Sequence, residues 1–365
     1  MTLDNMGGTF LPAMITRPEF AGYLAERIFN ESRFVQSGVV ARNSALDVRA
    51  GGTRLRVPEF DPIAPTIERI DSSNSWGTSG AGYLTPQALS TDEQVMTILR
   101  RGFAYSVDDI SKLGSGVADP LGHVRNQLAA AVNKAKTATL MAQLGGIFGN
   151  ISASGVLGAN TINKTGTTTA SASNYLTAGN VVAAKQLLGE RGSELSTIIM
   201  HSAVAAYLEE LGYLQVQSSG GSVYAGGGVG SGLGAGLVGR FAGLNVIVDD
   251  QVGVIAGGTA THLNKYQVYL CGSGVIGEGI QQDLLVEYDR NKLSFQDTLI
   301  VDYHMGYHIY GTRWAASGDN PTDANSSGNL GATASYALCY TNAKNVPLVR
   351  LLVNTPFDTG VYASS

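Results

Sequence analysis

The segment GAGLVG at residues 234–239 matches G-x-G-x-x-G, the pattern whose glycines let a backbone close on the pyrophosphate of a dinucleotide. That chemistry needs a strand before the glycines and a helix after them, because the amides and dipole of the helix N-terminus hold the phosphate. Upstream stands SSGGSVYAGGGVGSGL, with no four consecutive apolar residues to make a buried strand. Downstream, in RFAGLNVIVDD, Leu244, Val246 and Val248 alternate with Asn245 and Ile247, which reads as a strand. The order loop, glycines, strand points to a glycine-rich loop. A nucleotide-dependent enzyme built on residues 226–239 is the alternative from another class.

Other reactive residue types are poorly spaced for catalysis. His304 and His308 would share a face of a helix, but VDYHMGYHIYG alternates Tyr303, Met305, Tyr307 and Ile309 as one face of a strand. Strand geometry puts the two histidines about 13 Å apart, too far for one ion, so they read as solvent-side or interface residues. The pairs Asp108-Asp109, Glu209-Glu210 and Asp249-Asp250 point apart on a strand and diverge by about 100° on a helix, and read as solvated turns and helix faces. No G-x-S-x-G, G-K-[ST], H-E-x-x-H or C-x-x-C occurs. We therefore assign no catalytic, cofactor-binding or metal-binding residue and expect no cofactor and no enzymatic role.

Composition points the same way. Of 365 residues, 15% are charged, against about 25% in typical soluble domains, and the 47 glycines are nearly double the usual share of about 7%. Such a surface suits burial against copies of itself. The net charge of -5 and the scattered 24 basic residues argue against a dedicated nucleic-acid binder. Two cysteines, no secretory pattern in MTLDNMGGTF and no apolar run of about 18 residues predict a reduced, cytoplasmic origin and no membrane span.

The elements that would carry these residues follow from periodicity. Thr16, Pro18 and the spacing of Phe20, Leu24 and Ile28 predict a short helix on an N-terminal arm. GGTRLRVPEF, with Arg54 and Arg56 alternating against Leu55 and Val57, and DEQVMTILRR are the two sides of a long hairpin. With arms of roughly 15 residues it could reach roughly 50 Å, and a hairpin of that length must lie on something, such as a neighbouring subunit. Trp76, in DSSNSWGTSG near its tip, reads as an anchor for a partner surface. Asp119-Pro120 opens a long helix with Leu121, Val124, Leu128, Ala131, Ala135, Ala138 and Ala142 on one side and a stop at Gly145-Gly146. Two shorter helices run from caps at Thr177 and Ser202 to stops at Gly189 and Gly212. STIIM, LNVIV and YQVYLCG are strands. Residues 283–311 form two or three more, around a polar turn at Asp289 to Lys292.

In this order, residues 16 to 315 resemble the major capsid protein of tailed bacteriophages, the α+β Hong Kong 97-type capsid fold. STIIMHSAVAAYLEELG and GLVGRFAGLNVIVDD are similar to its axial-domain segments, and the stretch from YQVYLCG to YHIYG to its closing strands. The resemblance implies an N-terminal arm (1–50), an extended hairpin loop (51–105) and a peripheral domain with a spine helix (106–192). It further implies an axial domain (193–275), peripheral closing strands (276–316) and a C-terminal extension (317–365) beyond the family core. The implied function is a virion shell of hexamers and pentamers, assembled in the bacterial cytoplasm around double-stranded DNA without sequence-specific binding. A separate scaffolding protein, a portal and a decoration or cement protein are implied partners. An encapsulin-like cargo shell shares the fold and is the near alternative. Expected interface residues are Arg54, Arg56, Trp76, Gly234 and Gly236. The low charge and the unsupported hairpin predict that the purified chain is no stable monomer. Light scattering should find assemblies, and a single compact species of 38.1 kDa at micromolar concentration would refute this.

Overall fold

A computed structural model of the chain describes residues 38–47, 52–60, 67, 91–108, 120–149, 154–166, 171–214, 237–256, 263–291 and 293–358. The arm helix expected from Thr16, the cap at Asp119, and Trp76, Gly234 and Gly236 lie outside these residues.

In chain order the first elements are β1 (Val40–Arg42), β2 (Arg54–Phe60), β3 (Thr91–Thr97), β4 (Leu99–Asp108) and the 29-residue α1 (Pro120–Phe148). Then come β5 (Thr161–Asn163), α2 (Ala178–Leu187), β6 (Leu195–Met200), α3 (Ser202–Glu210), β7 (Leu237–Phe241), β8 (Leu244–Val248) and β9 (Val254–Ile255). The chain closes with β10 (Lys265–Gly272), β11 (Ile276–Asn291), β12 (Gln296–Ile309), β13 (Thr312–Trp314), β14 (Tyr336–Leu338) and β15 (Leu348–Val353). Both α and β elements build the core, as the expected α+β class requires.

Two sheets do most of the work. A four-stranded sheet has the order β1-β11-β12-β4, and a seven-stranded one runs β5-β15-β10-β6-β8-β7 with β9 on the edge of β10. The alternation read in β12 is the packing pattern: Tyr303, Met305, Tyr307 and Ile309 are buried on the face that meets α1. The seven-stranded sheet is apolar on both faces, because both are covered. Val268 and Leu270 of β10, with Val349, Leu351 and Val353 of β15, pack with α2 and α3, while Tyr269, Cys271 and Leu348 belong to the cluster around α1. Leu348–Val353, expected inside a C-terminal extension, is thus an inner strand, antiparallel to β10 and parallel to β5.

The long helix departs from its reading in two ways. Its most buried apolar residues are Val132, Leu140, Leu144 and Ile147; of the expected stripe Ala131 and Ala138 face solvent, Ala142 packs partly buried against the core, and the side chains of Leu121, Val124 and Leu128 lie outside the described residues. The larger side chains win the core because burying each one contributes about 1.5–3 kcal/mol, several times what an alanine offers. The helix also runs through Gly145-Gly146 and stops at Gly149, whose φ of +72° is a left-handed cap. Gly146 is instead a contact point: a Cβ there would stand 2.3 Å from Leu330 O and 2.6 Å from the Tyr336 ring. At α3 the cap is His201, one residue before the expected Ser202; its Nδ1 accepts from Ala203 N at 3.1 Å. The caps at Thr177 for α2 and the stops at Gly189 and Gly212 stand as read.

The two adjacent glycines give a paired test. Gly145 has open space where a Cβ would sit, so Gly145→Ala should stabilise the subunit by about 0.5–1 kcal/mol through helix propensity. Gly146→Ala should cost about 2 kcal/mol by overpacking, read from urea midpoints. Equal effects would refute the contact.

Candidate assembly interface

β2 and β3 pair antiparallel from Arg54 opposite Thr97 to Phe60 opposite Thr91, so the expected hairpin exists at its root. Only Ile98 separates β3 from β4, and the hairpin therefore grows directly out of the four-stranded sheet. Its seat is the cross-strand pair Gly279 and Gly306. A Cβ on Gly306 would meet Thr97 O at 2.6 Å, and one on Gly279 would meet Leu46 O at 2.4 Å and Met96 Cε at 2.9 Å. Two missing side chains let the hairpin root and the chain around Leu46 lie flat on β11 and β12.

A buried polar chain locks this seat. Gln94 Oε1 accepts from His308 Nε2 at 2.5 Å and from Gly311 N at 3.3 Å, and Gln94 Nε2 donates to Glu59 of the opposite strand. A backbone N–H can only donate, so Oε1 is the acceptor and His308 must carry its proton on Nε2. Arg313 reaches Asp92 at 2.5 Å, and Cys339 Sγ donates to Glu93 O at 3.5 Å. His308, expected at solvent or an interface between subunits, is instead buried between the hairpin and its own sheet. His304 sits farther along the same strand, half-buried.

Of the expected interface residues, Arg54 is engaged within its own chain, donating to Ser317 O at 2.5 Å, Gly318 O at 3.1 Å and Asp319 Oδ1 at 3.2 Å. Arg56 stays largely exposed, with Glu93 at 3.4 Å. Phe60, at the far end of β2, is 68% exposed. The sequence reading missed a second exposed apolar point, the tip joining β11 to β12. Leu293 is 95% and Phe295 63% exposed, with Phe295 at φ +51°, a strained conformation for a bulky residue. The tip is held in shape by Leu293 N donating to Asn291 Oδ1 at 3.1 Å and by the flanking Arg290–Asp297 pair at 3.0 Å. The signal was legible in RNKLSFQD, where two apolar residues interrupt a polar turn that needs neither for a core.

The residues weighed for chemistry fall elsewhere. Leu237–Phe241, which takes in the last fingerprint glycine, is a strand turned back on β8 through Ala242 and Gly243, where a dinucleotide site requires a helix. Asp249, read as solvated, is buried in a turn where its Oδ1 accepts from Gln251 N at 2.9 Å, and Asp250 accepts from Ser202 N at the start of α3 at 3.0 Å. Among the described residues no group of His, Cys, Asp and Glu could hold a metal ion, and no helix is long and apolar enough to cross a membrane.

Burial lowers the His308 imidazole from 6.5 to about 4. Between those values the unfolded chain binds the proton and the folded chain does not, so stability falls as pH drops from about 6.5 toward 4, by about 3 kcal/mol at most. His308→Gln, which can still donate to Gln94, should flatten this part of the stability profile, measured by denaturant midpoints at several pH values. Coincident profiles for the two proteins would refute it.

No curated protein sequence matches the chain. Its fold matches the capsid of Ralstonia phage GP4, at TM-score 0.57 and 10% identity, over 89% of this chain and 92% of that one. It also matches the Cyanophage Pam1 capsid asymmetric unit, at TM-score 0.52 and 12% identity, over 89% and 92%. These agree with the expected shell fold. The family described as phage capsid protein matches residues 91–334, from the hairpin's return strand through the long helix and most strands of both sheets, and the chain belongs to that family.

Proposed function

We propose that the chain is the major capsid protein of a tailed bacteriophage, a structural protein and not a catalyst. Its copies assemble in the host cytoplasm as hexamers and pentamers into an icosahedral shell around double-stranded DNA. The observation that carries this reading is apolar surface left exposed on the two hairpins: Phe60 at the end of β2, and Leu293 and Phe295 in the turn between β11 and β12. Exposed apolar points on stiff arms lower their free energy by meeting a partner, and a partner of the same kind is always present in a homo-oligomer. The acidic balance supports containment of nucleic acid without specific binding. Arg56, Trp76, Gly234 and Gly236 are the remaining proposed interface positions; Arg54 serves the hairpin's own root. Scaffolding, portal and cement proteins are the proposed partners.

Electron microscopy of purified material should show closed particles containing DNA; protein-filled particles would indicate a cargo shell instead. Trp76→Ala should cost on the order of 2 kcal/mol per contact and weaken particle disassembly far more than subunit unfolding. Phe295→Gly separates the two more sharply. Glycine relieves the positive φ, so the subunit should be as stable or more so while assembly weakens. A variant that assembles as well as the parent would remove the tip from the interface.

A further inference from the structure

The joint at Ile98, where the hairpin leaves the body, is bridged on its outer side by a second polar segment. Residues 317–323 cross it. On the hairpin side, Arg54 donates to Ser317 O, Gly318 O and Asp319. On the body side, Asn320 Oδ1 accepts from Arg100 N and Arg101 Nη1, both at 2.9 Å, and Pro321 O accepts from Arg101 Nη2 at 2.6 Å. Asp323 faces Arg101 at 3.4 Å and accepts from Thr139 of α1 at 3.2 Å. Asn320 holds φ +49° to aim its amide oxygen at both donors. The segment is itself anchored: Leu330 N donates to Thr322 O at 2.9 Å, and Leu330 is fully buried where α1 carries Gly146.

We propose that residues 317–323 are an electrostatic brace that fixes the angle between the hairpin and the body, and through it the diameter of the particle; the second half of this rests on the shell function proposed above. The contrast between the two sides of the joint supports the assignment. The inner side is closed by buried groups, Gln94 with His308 and the glycine seat. The outer side is closed by guanidinium forks on partly exposed acceptors, with the Asp319 and Asp323 side chains 56% and 42% exposed. Such exposed pairs each contribute little to stability and are screened by salt. They add little to folding but act at the one place where a small rotation is magnified along the hairpin.

The test places spin labels at Phe60→Cys on the hairpin and Lys134→Cys on α1, in chain diluted with unlabelled protein; the native Cys271 and Cys339 are buried. Asp319→Ala with Asn320→Ala should broaden the distance distribution about two-fold, and about 1 M salt should broaden that of the otherwise unaltered chain similarly. Arg54→Lys, which keeps the charge but not the fork, should fall between. Particles of the double variant should spread over more than one diameter. If the double variant does not fold, the salt series alone decides. Distributions as narrow as the parent's in salt and variant overturn the brace. A broadened distribution with a single particle diameter overturns its control of size. Failure of the parent chain to form particles would count against the shell function, while the label distances still judge the brace.

Discussion

Arg350 carries a positive charge into the buried part of the seven-stranded sheet, on the strand between β5 and β10, and the way the long helix meets that sheet follows from where the charge is satisfied. It is 1% exposed, stands opposite Tyr269 in the β10–β15 register, and donates to Gly149 O at 2.7 Å and Phe148 O at 3.4 Å. Those are carbonyls at the end of α1, where the helix leaves acceptors unmet and its dipole favours a cation. The guanidinium lies 5.1 Å from the Phe148 ring, and the Tyr269 ring packs 5.8 Å from the same phenylalanine. Burial lowers the Arg350 pKa, with the Tyr269 hydroxyl opposing it, and burial raises Tyr269 to about 12. A buried charge is costly without such partners. Strand β15 is therefore tied to the end of the long helix.

That tie explains how one chain makes two apolar clusters that cannot move independently. Strands β6, β8, β10 and β15 turn alternate residues to α2 and α3 on one side and to the α1 cluster on the other. The four-stranded sheet then lies along α1, so hairpin, long helix and larger sheet are connected through packed side chains and not through linkers. Lys136 of α1 and Glu278 of β11, 3.0 Å apart and largely shielded, add a polar tie at the same interface.

For a shell protein this construction has a functional sense. Of the positions proposed to meet other copies, those on the β2–β3 hairpin are rooted in packed sheet, where only Ile98 intervenes between β3 and β4. A rigid root transmits position to a distant contact, and small polar contacts around it can adjust that position at low energetic cost.

Local patterning made much of this legible. The order of elements, the strands around STIIM, LNVIV and YQVYLCG, the inward face of β12, the cap at Thr177 and the stops at Gly189 and Gly212 all follow from periodicity and turn chemistry. The absence of a helix after the fingerprint glycines was also a local property, since Leu244 to Val248 alternate as a strand must. Tertiary contacts decided the rest. Which stripe of α1 is buried depended on the sheet it meets, and Gly146 is a crossing point because Leu330, far along the chain, passes over it. His308 became a core residue because Gln94, 214 positions away, caps it. Arg350 looks like a surface cation until the end of a helix is placed beside it. The sequence by itself determined the local elements and their order, because backbone preferences act over a few residues. Only the tertiary structure decided which polar groups are buried and which apolar ones are left exposed, because a partner for either comes from chain that is distant in sequence.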